Sequence, residues 1–205
     1  MRGIAPIIIM LTILPAVHQS PEVSAADLEV TPFTGYTFGG EFESYLTVAD
    51  FEVDESESYG IILGVTDPEG TQYEFLYSHQ PTTLMMDSGL LAGTPLFDLD
   101  IDYFQVGGIV GKGSGNVKPY VAGGLGLTYL DPEKGNSETE FSFSLGVGIK
   151  LMLSEWIGLR FEGRGFGTFT DGNGAVFCSN GYCAAARSGD MFWQFSAFSG
   201  LILAF

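Results

Sequence analysis

Met191-Phe-Trp-Gln-Phe-Ser-Ala-Phe-Ser-Gly-Leu-Ile-Leu-Ala-Phe205 decides the fold. One parity carries Met191, Trp193, Phe195, Ala197, Ser199, Leu201, Leu203 and Phe205. The other mixes Gln194, Ser196, Gly200 and Ala204 with Phe192, Phe198 and Ile202. A period of two makes a strand with two unlike faces. An apolar face flanked by aromatics is what a strand bordering lipid needs. On the terminal strand of an exported chain it predicts a barrel in the outer membrane, with the last strand, ending on Phe205, offered to the barrel-insertion machinery.

The opposite end of the sequence predicts export. Arg2 supplies a positive start, Ile4 to Val17 an apolar stretch interrupted by Pro6 and Pro15, and Val23-Ser24-Ala25 or Ser24-Ala25-Ala26 a small-residue cleavage site. Residues 1–25 therefore read as a signal peptide and 26–205 as one barrel domain. Nothing later approaches the roughly 18–20 continuous apolar residues of a membrane helix. Yet the chain is 45% hydrophobic and carries a formal net charge of -17. An ordinary soluble domain does not combine these. A barrel does, with apolar residues at alternate positions and acids in loops and lumen. Such acidity excludes nucleic acid, which requires a basic surface.

Working back from the last strand, seven more strand-like segments follow one another. They are Leu28 to Phe42, Tyr59 to Thr66, Gln72 to Gln80, Phe97 to Gly111, Val117 to Leu130, a segment from Phe141 to Leu153, and Ile157 to Thr170. Tight turns such as Asp67-Pro-Glu-Gly70 and Gly113-Ser-Gly-Asn116 alternate with long connections, the habit of a barrel with short periplasmic turns and longer outer loops. The expected fold is all-β: an eight-stranded antiparallel up-and-down transmembrane barrel. Its interior would be filled by side chains.

The sixth segment alternates most clearly. Phe141, Phe143, Leu145, Val147, Ile149, Leu151 and Leu153 face outward, while Ser142, Ser144, Gly146, Gly148 and Lys150 face inward. The same reading puts Lys118, Lys150, Arg160 and Arg164 inside, with Glu29, Glu74, Asp98, Asp100, Asp102 and Glu162. An unpaired interior charge is very costly, so these must find partners. Counting from the turns places Glu29, Glu74, Lys118, Lys150, Arg160 and Glu162 in the periplasmic half. A lumenal charge network of Glu29, Glu74, Lys118, Lys150, Arg160, Glu162 and Arg164 is expected, as a plug or as a gated ion path. Outward aromatics should band at the two interfaces. Tyr36, Phe38, Tyr59, Tyr77, Phe97, Tyr129, Phe141, Phe169 and Trp193 fall at the outer rim. Tyr73, Phe205 and Trp156 fall at the inner one.

Cys178 and Cys183 are the chain's two cysteines. In an exported protein they read as a disulfide closing the fourth outer loop. No metal site or cofactor is expected: no Cys or His follows them, and Asp171-Gly-Asn-Gly174 begins like a calcium loop but lacks the later bidentate Glu.

Thr31-Pro-Phe-Thr-Gly-Tyr-Thr-Phe-Gly-Gly40, Ser58-Tyr-Gly60, Tyr73-Glu-Phe-Leu-Tyr-Ser-His-Gln80, Lys118-Pro-Tyr-Val-Ala-Gly-Gly-Leu-Gly126 and Phe141-Ser-Phe-Ser-Leu-Gly-Val-Gly148, in that order, resemble the small outer-membrane β-barrel proteins of Gram-negative bacteria. These share a fold with the OmpA membrane domain and the opacity-type proteins. The resemblance spans the mature chain. It implies fold and location, with outer-membrane lipids and lipopolysaccharide as surroundings, and a non-enzymatic structural, adhesive or surface-interaction role carried by the outer loops. Their extracellular ligand is left open.

Two alternatives stand beside it. Some barrels of this size act on lipid A with a Ser-His-acid arrangement. His18 lies in the signal peptide, which leaves His79. Its neighbour Ser78 must point to the opposite face of a strand. A soluble lipocalin-type carrier would need apolar residues inside and polar ones outside, the reverse of the sixth segment.

Overall fold

The computed structural model describes residues 28–42, 51–68, 70–86, 93–111, 115–133, 137–169, 176–179, 182–185 and 191–205. The proposed signal peptide and the Asp171–Gly174 segment lie outside them. Every regular element among the described residues is a β-strand. In chain order these are β1 (Leu28–Phe38), β2 (Glu41–Phe42), β3 (Phe51–Val53), β4 (Ser56–Thr66), β5 (Gln72–Met86), β6 (Thr94–Gly111), β7 (Val117–Pro132), β8 (Glu138–Met152), β9 (Ile157–Phe169), β10 (Val176–Ser179), β11 (Tyr182–Ala185) and β12 (Met191–Ala204).

Eight of them close into a barrel in the order β1-β4-β5-β6-β7-β8-β9-β12, each antiparallel to its neighbours, with β12 returning to β1. The stagger can be walked. From Thr34 the partners run through Tyr59, His79 and Asp102 to Tyr129. The other way they run through Ser199, Phe161 and Ile149 to Pro119. The two walks reach β7 ten residues apart. A stagger of this kind is what tilts the strands and lets the sheet close.

Local chemistry sets the turns. Between β4 and β5, the backbone N–H of Gly70 donates to Asp67 O at 3.0 Å and that of Thr71 to Asp67 Oδ1 at 2.9 Å, with Gly70 at φ 88°. Only a residue free of Cβ strain takes that angle readily. At the long-loop end, β1 stops at Phe38 rather than continuing to Phe42. Gly39 and Gly40 turn the chain at φ 77° and 125°. The first long connection then lays β3 beside β5, so that Val53 is fully buried and its N–H donates to Gly40 O at 2.8 Å.

β5 runs past the expected end at Gln80, through Pro81, to Met86. Proline is tolerated in a sheet where no ladder bond is asked of its nitrogen. Pro81 sits in such a gap: pairing to β4 ends at His79 and pairing to β3 begins at Leu84.

The lumen is layered. At the tight-turn end it is ionic; at the long-loop end Val53, Leu84, Phe97, Leu99, Ile101, Leu130 and Phe192 belong to an apolar cluster. Outside, Val106, Val110, Val121, Leu125, Leu145, Val147 and Phe195 are all more than half exposed. A soluble protein avoids so continuous an exposed apolar surface, whereas hydrocarbon demands it.

Candidate functional site: the lumenal ion network and the outer rim

β9 contributes Arg160, Glu162 and Arg164 at successive inward positions, because residues two apart share a face. Arg160 is completely buried. Its guanidinium forks onto Glu74 of β5, Nη1 to Oε1 at 2.6 Å and Nη2 to Oε2 at 2.9 Å. It also donates to Glu162 Oε2, from Nη2 at 2.6 Å and from Nε at 3.0 Å. Arg164 holds the other oxygen of Glu162 and lies 3.8 Å from Glu74. A bidentate fork fixes geometry as well as charge. Lys150 of β8 closes the network towards the tight turns, pairing with Glu29 and Gln72.

Two further members carry no charge and escaped the sequence reading. Tyr120 donates its hydroxyl to Glu162 Oε2 at 2.6 Å, with Arg160 4.9 Å from its ring centroid. Gln72 donates Nε2 to Glu29 Oε2 at 2.8 Å. Both were traceable, since each shares its inward parity with an expected charge, Lys118 and Glu74.

Lys118 does not join them. It pairs with Lys150 in the backbone ladder, but its side chain is exposed at the end of β7 and makes no ion pair among the described residues. At the rim it can stay hydrated, so it needs no partner.

The aspartates of β6 correct the expected register. Asp98, Asp100 and Asp102 point out of the barrel, and Phe97, Leu99, Ile101 and Tyr103 point in. Phe97 is therefore a core residue and not part of the outer aromatic band. β6 keeps one parity throughout: Phe104, Val106 and Val110 are outward on the same parity as the aspartates. The strand is 18 residues long. Near its long-loop end it stands clear of hydrocarbon. There the outer face meets water and the inner face must supply a core, so the chemical pattern reverses while the geometry does not.

The outer band itself is populated. Tyr36 and Phe38 meet at 4.9 Å between ring centroids, Tyr77 and Phe104 at 5.1 Å, Phe141 and Phe169 at 5.9 Å, and Phe143 and Trp193 at 5.4 Å. At the tight-turn end Tyr73, Trp156 and Phe205 are more than half exposed.

His79 lies in the outer band. As direct backbone partners across β5 and β6, His79 and Asp102 bond Nδ1 to Oδ1 at 2.9 Å. The Tyr77 hydroxyl donates to the same oxygen at 2.9 Å, and the Tyr59 ring packs 5.2 Å from the imidazole. Ser78 is buried on the opposite face, as strand geometry requires. The sequence could not reveal the partnership with Asp102, which depends on cross-strand register.

In the fourth long connection, β10 and β11 form a hairpin whose register sets Cys178 directly opposite Cys183. A shallow depression of about 810 Å³, lined among others by Thr34, Tyr36, Phe161, Ala197 and Ser199, opens on the outer wall and not in the lumen.

The sequence matches the family model described as outer membrane protein beta-barrel domain over residues 14–180. Among curated proteins none matches the chain. Among solved structures, neisserial surface protein A (NspA) is similar at 12% identity and a TM-score of 0.62, covering 87% of this chain and 97% of that one. OprG from Pseudomonas aeruginosa is similar at 13% identity and a TM-score of 0.54, covering 88% and 96%. At such identities the likeness is one of fold. The closed eight-stranded barrel, its lipid-facing wall and the family match together make this chain a member of the outer membrane protein β-barrel domain family, an integral protein of the Gram-negative outer membrane.

Proposed function

We propose that the protein is a non-enzymatic barrel with a structural or surface-interaction role carried by its long outer connections. The observation that carries this reading is the filled lumen. Arg160, Glu162 and Glu74 block the barrel at one end and an apolar cluster blocks it at the other, so a partner from outside meets the loops first. The first outer connection bears Glu43, Asp50, Glu52, Asp54, Glu55 and Glu57. Near lipopolysaccharide phosphates such acids repel unless divalent cations bridge the two. Lipopolysaccharide held through cations is then the nearest partner, and an extracellular ligand would read the same loops.

The test is a set of strains carrying the barrel with each long connection shortened to a tight turn. Loss of cell-surface attachment or of chelator-sensitive lipopolysaccharide association, with the barrel still inserted, supports the reading. Unchanged attachment and unchanged chelator response in all four strains sinks it.

The His79–Asp102 pair favours a second reading, a lipid-A-modifying activity. Asp102 holds Nδ1 of His79, the orientation that a general base working through Nε2 would need. A lipid A profile that differs between the wild type and a His79→Ala strain would support it. Identical profiles in wild type, variant and null strain would exclude it.

A further inference from the structure

Between the ionic network and the long-loop end lies a layer of neutral polar side chains, interleaved with Leu76, Phe166 and Phe198 of the apolar cluster. The hydroxyls of Thr37 and Ser196 bond at 2.7 Å, those of Thr128 and Thr168 at 2.9 Å, and Tyr103 donates to Gln194 Oε1 at 2.5 Å. On β5 the inward order is Glu74, Leu76, Ser78, Gln80, Thr82 and Leu84. On β6 it runs from Gln105 to Ile101, Leu99 and Phe97 as the strand is followed towards the long-loop end.

Four atoms of this layer have no hydrogen-bond partner among the described residues: Ser58 Oγ, Gln80 Oε1, Gln105 Oε1 and Ser144 Oγ. Each of their residues is only 1% exposed. Both glutamines have already committed their nitrogens, Gln80 Nε2 to Ser56 Oγ at 3.0 Å and Gln105 Nε2 to Ser142 Oγ at 2.7 Å. Turning either amide over would leave the nitrogen stranded in place of the oxygen.

The four atoms form two pairs. Ser58 and Gln80 lie next to the Tyr59–His79 step of the β4–β5 ladder, on the inward parity. Gln105 and Ser144 converge across β7. The point that a Cβ on Gly124 would occupy lies 3.1 Å from Ser144 Oγ and 3.3 Å from Gln105 Oε1. The two unsatisfied oxygens therefore converge on the inner face of Gly124, where a Cβ would crowd both.

Burying a polar atom unpaired forfeits its hydration without return. Clustered orphans of this kind are what internal water serves, each molecule typically making about three bonds. We propose that the neutral layer is a water-binding site. One water bridges Gln105 Oε1 and Ser144 Oγ beside Gly124, and another serves Ser58 Oγ and Gln80 Oε1. Each donates to a glutamine carbonyl and exchanges a hydrogen bond with a serine hydroxyl. The lumen then holds a hydrated compartment, closed towards the cell surface by Phe97, Leu99 and Ile101 and towards the periplasm by Arg160 and its carboxylates.

The test uses isotope-labelled full-length barrel in detergent micelles and reads dipolar cross-peaks between water and backbone amides. Cross-peaks at Gly124 and Ser144, lost in Gly124→Ala while those at Ser58 persist, are expected. Their absence from the wild type, or their persistence in Gly124→Ala, would overturn the proposal. Because Gly124→Ala can disturb folding, the urea midpoint of Ser144→Ala is a second readout. Removing a hydroxyl that binds water lowers the midpoint. Removing one that is dry and orphaned raises it, and that outcome rejects the water.

Discussion

Phe143 of β8 and Trp193 of β12 are not on neighbouring strands, yet their rings meet edge to face, 5.4 Å apart at 90°. The strand between them, β9, supplies the room. A Cβ on Gly167 would stand 2.7 Å from the Phe143 ring, so the glycine is what lets the ring lie across the strand. Aromatic pairs of this geometry contribute about 0.5–1.5 kcal/mol beyond burial. Gly167→Val should part the two rings and lower barrel stability by about 1–3 kcal/mol, with a shift in Trp193 fluorescence. Unfolding in urea followed by tryptophan emission checks both, and unchanged emission would mean the rings do not depend on the glycine.

Arg160 is the residue on which the lumenal network turns. Arg160→Ala leaves Glu74 and Glu162 buried with Arg164 and the neutral Tyr120 hydroxyl in place of a bidentate cation, and a cost of about 3–5 kcal/mol follows. Replacing Glu74, Arg160 and Glu162 together by apolar residues of similar volume should restore most of the loss. Equal destabilisation by the single and the triple variants would show that the side chains matter by shape and not by charge.

Two glycines of β7 test the interior and the exterior of one strand. A Cβ on Gly126 would lie 1.8 Å from the backbone oxygen of Phe104, whereas one on Gly123 meets nothing nearer than 3.7 Å. Gly126→Ala should therefore reduce the folded fraction, read as the heat-modifiable band on a cold detergent gel. Gly123→Ala should leave that band unchanged. Equal bands for the two would refute the close approach of β6 and β7.

Cys178 and Cys183 are partners in the backbone register of β10 and β11. A disulfide there should resist thiol labelling on intact cells until a reductant is added. Closing so short a loop contributes roughly 2 kcal/mol by the chain-entropy model. The double serine variant should gain protease sensitivity in the fourth outer connection while barrel mobility on gels stays the same. Labelling without reductant would show two free thiols.

Parity was legible almost everywhere. The inward run Arg160, Glu162, Arg164 and the outward run Phe141 to Ile149 lie where alternation places them. What alternation does not carry is depth. Asp98, Asp100 and Asp102 read as inward only if polar means lumen, which holds only where the outside is hydrocarbon. Lys118 failed for the related reason that an inward parity at a rim still reaches water. The link from His79 to Asp102 and the insertion of Val53 beside β5 depend on pairings between segments far apart in sequence, which no local pattern encodes. Strand ends moved for the same cause: Pro81 reads as a stop until the gap between β4 and β3 is known.

The aspartates of β6 also act as a draught mark. Asp102, Asp100 and Asp98 climb the outer wall in two-residue steps above Phe104. Should the barrel sink towards the periplasm, Asp102 would enter the hydrocarbon first and Asp100 next, each at a rising penalty of up to about 3 kcal/mol. Should it rise, Phe104 and Val106 would be lifted into water. The protein thus carries its own waterline, and a bilayer of different thickness must bend to meet it.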